Sequence, residues 1–65
     1  MSDLDTMLAD LAFEGPVTVE DVTSVRDALR LALPGTSVEV YFHTGHPGDD
    51  VVIRVDNLVR KVTIS

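Results

Sequence analysis

The hydrophobic pattern of this chain changes its period once, at the stretch "LPGT" (Leu33 to Thr36). Before it, apolar residues recur every three or four positions, as on one face of a helix. After it they alternate with polar ones, as on one face of a half-buried strand. Helices followed by strands, each with one apolar face, predict a two-layer α+β domain. The expected architecture is two N-terminal helices packed on one face of a three-stranded antiparallel β-meander, in a single domain spanning residues 1–65.

Ser2 is a candidate cap for the first helix, with Asp5 three residues on. Leu4, Met7, Leu8 and Leu11 then form one apolar stripe. "EGP" (Glu14 to Pro16) is expected to end that helix, with Gly15 as a left-handed cap and Pro16 lacking an N–H. Thr18 is expected to cap the second helix with Asp21 at the third helical position, and Glu20 and Asp21 suit the positive end of its dipole. Its stripe is Val19, Val22, Val25, Leu29, Ala32 and Leu33, with Arg26 and Arg30 on the solvent side. Pro34 disfavours a helical Leu33, and Gly35 fits the positive-φ position of a type II turn.

Three alternating runs follow: "SVEVYFH", "VVIRVD" and "LVRKVTIS". A two-residue turn at Asp56-Asn57 pairs Val55 with Leu58 and Ile53 with Arg60. Val51, Ile53, Val55, Leu58, Val62 and Ile64 then share the face under the helices. Arg60 is the misfit in that set, and its stem is long enough to reach solvent at an edge.

Sixty-five residues leave only a marginal core, since a chain of this size buries roughly 60% of its unfolded surface. The chain has no cysteine, so neither a disulfide nor a thiolate metal site reinforces it. No apolar run approaches the ~20 residues of a membrane span. The acidic start "MSDLDTML" resembles neither a secretory signal nor a transit peptide, and the expected location is cytoplasmic. Eleven acidic residues against five basic ones give a net charge of −6. A surface of that sign repels phosphate backbones and anionic membranes, so direct nucleic-acid or membrane binding is disfavoured.

The densest polar stretch is "FHTGHPGDDV", which places His43, His46, Asp49 and Asp50 within eight positions. These are metal-ligand types. His-Pro-Gly-Asp is also a good type II turn, with Pro47 and Gly48 at its two central positions. Turn chemistry accounts for the stretch, so no metal, no cofactor and no catalytic residue is expected. No nucleophile pattern or phosphate-binding glycine loop is present, and an enzyme is not expected.

"LADLAFEGPVTVEDV" resembles the opening of winged-helix domains, where a helix ends at a Gly-Pro-like break and a Thr- or Ser-capped helix follows. The resemblance implies that "HTGHPGDD" forms the wing and that the protein is linked to nucleic acid as a regulator. Two features depart from that pattern. Residues 19–33 are too few for a further helix, a turn and a full recognition helix, and the wing would carry Asp49 and Asp50 where basic residues belong. The acidic balance suggests a second alternative, an inhibitor that mimics nucleic acid.

The sheet face away from the helices should carry Tyr41, Val52 and Val59, ringed by Glu39, Arg54 and Lys61, and the expected interface is Tyr41, Val52, Val59, Lys61 and Thr63. The last strand also runs to Ser65, and its outer edge is expected to be unpaired. An apolar patch and an open edge both invite another chain. The expected function is therefore a non-enzymatic binding or regulatory module that works through protein–protein contact, its partner being another protein or itself as a homodimer.

Overall fold

A computed structural model describes the backbone of residues 3–65 and the side chains from Thr6 onward. The proposed Ser2 cap and the side chains of Leu4 and Asp5 lie outside the described residues. Two helices, α1 (Asp3–Ala9) and α2 (Val19–Ala32), precede three strands, β1 (Val38–Phe42), β2 (Asp50–Val55) and β3 (Leu58–Thr63). The strands form one antiparallel sheet in the order β1-β2-β3, and α2 packs against β1.

Local chemistry fixes most boundaries. The Thr18 hydroxyl accepts from the Asp21 N–H at 3.3 Å, and the Asp21 carboxylate accepts from the Thr18 N–H at 3.0 Å. This reciprocal capping box starts α2 at the expected residue. At the other end Thr36 donates to the Leu33 carbonyl, and Gly35 takes φ +80°, as the type II turn requires. The β2–β3 hairpin closes through Asp56-Asn57 with Val55 opposite Leu58 and Ile53 opposite Arg60. Asp56 has φ +52°, the positive value that a two-residue hairpin loop demands at its first position.

The core joins Leu8 from α1, Val22 and Leu29 from α2, Val38, Val51, Ile53 and Val55 from the strands, and Ile64 just beyond β3. All the strand residues in this set lie on one sheet face, because side chains alternate along a strand. Arg60 shares their parity but is exposed, as its position on an edge strand allows.

Four expectations are corrected. Helix α1 stops at Ala9, not at "EGP", and its last turn tightens through a Leu11 N–H bond to the Leu8 carbonyl. Residues beyond it leave the helix because they are held elsewhere. Phe13 forms a parallel bridge with Ile64, and Phe13 and Val17 are both buried in the core. Gly15 is not a left-handed cap. It allows a close approach, since a Cβ there would lie 2.6 Å from Cδ of Pro47. On α2, Val19 is 68% exposed and Ala32 is exposed, so the buried stripe narrows to Val22 and Leu29 with Val25 and Leu33 half-buried.

The fourth correction concerns only the end of the sheet edge, beyond Thr63; along Leu58–Thr63 β3 stays an outer strand among the described residues. Ser65 donates to the Phe13 carbonyl at 2.9 Å and accepts from the Gly15 N–H at 3.0 Å. The chain's own connecting segment thus covers the end of the last strand.

Candidate functional site

The loop after β1 is built around Asp49. Its carboxylate accepts from the Thr44 backbone N–H at 2.8 Å and from the Thr44 hydroxyl at 2.7 Å. The Thr44 hydroxyl in turn accepts from the His46 N–H at 3.2 Å. Asp49 then closes the predicted His-Pro-Gly-Asp turn by donating its own N–H to the His46 carbonyl, with Gly48 at φ +93°. Each of these bonds holds the loop's shape. Among the described residues, no three His, Cys, Asp or Glu side chains are grouped to hold a metal.

The loop also has a docking role inside the molecule. Val17 donates its N–H to the Gly45 carbonyl at 2.8 Å, and Gly45 is buried with φ +75°. A Cβ at Gly45 would overlap the Val17 carbonyl oxygen. Gly15 sits against Pro47 in the same way. The two glycines let residues 15–17 and 45–47 interlock, which seats Val17 in the core.

The Thr44 backbone N–H, then its hydroxyl, then the Asp50 backbone N–H hold the Asp49 carboxyl down from 3.8 to about 2. A carboxyl depressed on folding contributes stability that is fully present above its unfolded value. That stability is lost as pH falls through the folded one. Acid unfolding followed by circular dichroism should therefore show wild type losing stability between pH ~4 and ~2 relative to an Asp49→Asn variant. Parallel acid curves for the two proteins would mean that Asp49 plays no such part.

The five residues expected on the far sheet face are all there. Strand register places them in rows: Glu39, Arg54 and Val59; then Tyr41, Val52 and Lys61; then Asp50 and Thr63. Tyr41 and Val59 are 50% and 55% exposed, Val52 is half-buried, and Lys61 and Thr63 are exposed. The Thr63 hydroxyl donates to Asp50 at 3.1 Å, and Nε of Arg54 donates to the Asp56 carbonyl at 3.3 Å. An open depression of about 310 Å³ runs from Tyr41, Val52 and Lys61 to the His43 end of the loop. Sequence reasoning missed a second hollow of about 340 Å³, between Phe13, Val17 and Val25 with Glu14 and Asp21 at its rim. Its only sequence signal is the pair of apolar residues flanking "EGP".

The helix cations are both engaged. Arg26 pairs with Asp27 at 3.2 Å, and Arg30 donates to the Val38 carbonyl at 3.2 Å. In the described residues α2 leads through the Leu33-to-Thr36 turn directly into β1, with no further helix between them. Fold and surface together define a small two-layer α+β protein with one sheet face left open by its described helices. No family model, curated protein or solved structure matches the chain. No helix among the described residues is long and apolar enough to cross a membrane.

Proposed function

We propose that this protein is a non-enzymatic binding module that acts by protein–protein contact through its open sheet face, and that it associates with itself. The observation that carries this reading is the exposure of Tyr41 and Val59 on that face. An aromatic and a β-branched side chain left half in water gain by being covered. The residue types that suggested chemistry are used differently: the loop carboxylate and glycines hold the loop and lock it to residues 15–17.

Size sets the strength. Three strands ~4.8 Å apart and about six residues long present a face of roughly 10–15 by 20 Å. That is well below the ~800 Å² per partner of a standard interface, so self-association is expected at tens to hundreds of micromolar, an order-of-magnitude range. Association makes apparent stability depend on concentration. The thermal midpoint should rise between about 10 µM and 1 mM, a window set on that affinity scale, with dimers in sedimentation at the upper end. Val59→Glu should remove both effects by placing a charge in the contact. It should leave the dilute protein's stability within about 0.5 kcal/mol, because the site is exposed and faces Arg54 across the strands. A wild-type midpoint that stays constant up to 1 mM, a limit chosen on the same scale, would reject self-association.

A further inference from the structure

We infer that the second copy docks face to face about a two-fold axis running across the strands through Val52, so that Arg54 of each copy meets Asp50 of the other. The inference rests on the self-association just proposed and names its geometry. Asp50 and Arg54 both lie on β2, two residues to either side of Val52, and both point away from the helices. Each is therefore ~6.8 Å from Val52 along the strand. Rotation about an axis across the strands exchanges those two positions. Stacked sheets lie ~10 Å apart, a gap that an arginine and an aspartate side chain span together. The same rotation sets Tyr41 beside its own copy and Val52 on Val52, while Val59 meets Thr63. Lys61 faces itself at the rim, where its long stem can turn to solvent.

The other in-plane axis, along the strands, fares worse. It sets Arg54 against Arg54 and Asp50 against Asp50, two like-charge contacts at the centre of the patch. The face is also the neutral part of an acidic protein. Glu39 and Asp50 balance Arg54 and Lys61 there, while the whole chain carries −6. Contact through this face brings the least repulsion.

Edge pairing is guarded on both sides. At β1, Arg30 occupies the outward carbonyl of Val38. At β3, Ser65 bonds outward to Phe13 and Gly15, so by alternation Lys61 also presents its backbone outward. An antiparallel β3 pair centred on Lys61 sets Lys61 against itself, and a shift of one residue does the same to Arg60. Like charges directly opposite destabilise a strand pair. A shift toward Ser65 runs into Phe13.

The test uses two single variants, Arg54→Glu and Asp50→Lys. Each alone carries two repulsive pairs in the proposed dimer and should associate at least ~10-fold more weakly than wild type. Mixed in equal amounts, the two restore both attractive pairs and should form a heterodimer of near wild-type affinity, read by sedimentation of the mixture at several hundred micromolar, on the affinity scale above. Circular dichroism checks that each variant folds. If either does not, Arg54→Gln and Asp50→Asn replace them, each expected to weaken wild-type association about threefold. A wild type that dimerises while the mixed variants stay monomeric, or neutral variants that dimerise like wild type, would overturn this geometry and leave self-association standing. A wild type that stays monomeric would overturn both.

Discussion

Gly45→Ala is expected to destabilise the protein by roughly 3–6 kcal/mol, a large share of the stability of so small a domain. Two costs coincide at this residue. Its φ of +75° disfavours any side chain, and its Cβ would overlap the Val17 carbonyl oxygen, a backbone atom that cannot rotate away. Relief requires residues 15–17 to lift off the loop. That breaks the Val17 N–H bond to the Gly45 carbonyl and draws Val17, only 5% exposed, out of the core. Strain of about 1–3 kcal/mol, a lost hydrogen bond of about 1 and partial exposure of one valine sum to roughly 3–6 kcal/mol. A domain of this size has about 3–10 kcal/mol in all. Gly48→Ala is the matched control. Its φ is +93°, but nothing lies within 4 Å of the added Cβ. It should cost only the backbone term, about 1–2 kcal/mol. Urea unfolding of the three proteins measures the difference. Equal losses at the two glycines would show that the loop and the interhelix segment are not locked together.

That interlock marks the boundary of what was legible in the sequence. Features set by a few adjacent residues were readable: the Thr18–Asp21 box, the Leu33-to-Thr36 turn, the His-Pro-Gly-Asp turn and the Asp56-Asn57 hairpin. Each depends on local torsions and hydrogen bonds that residue type alone restricts. Strand register was readable too, since a slip of one residue would turn Val51, Ile53 and Val55 to the wrong face. The end of α1 was not. Leu11 continues the helical spacing from Met7 and Leu8, but the chain leaves the helix because Phe13 and Gly15 gain backbone partners at Ile64 and Ser65, some fifty positions away. Val19 failed for a related reason. It fits the periodic stripe, yet it sits in the first turn of α2, and α2 packs on β1 at the edge of the sheet. The open face was readable as a consequence of alternation, as was the even spacing of Asp50 and Arg54 about Val52, whereas the rows that set Tyr41 and Lys61 beside Val52 needed the observed register.

Leu29→Ala is expected to destabilise by about 2–5 kcal/mol, the range for removing a buried leucine side chain. Leu29 is 4% exposed, in the core with Val38 and Ile53, on the helix that makes the main helix–sheet contact. Neither Val25 nor Leu33 can close the resulting gap easily, because Val25 is fixed in the helix and Leu33 is held at its end by its N–H bond to the Leu29 carbonyl. Leu31 provides the internal comparison. Two positions along α2 rotate the side chain by ~200°, and Leu31 is 85% exposed. Leu31→Ala removes the same atoms from the same helix, with similar propensity, but from water. Its effect should stay within about 0.5 kcal/mol. The pair isolates burial from every property of leucine itself. Measurement belongs near 10 µM, below the expected association range, because at higher concentration dimer formation would add to the apparent stability of each variant. Similar losses at both positions would mean that α2 does not bury Leu29 in preference to Leu31, and a larger loss at Leu31 would mean that the helix is turned by about half a revolution from the orientation described.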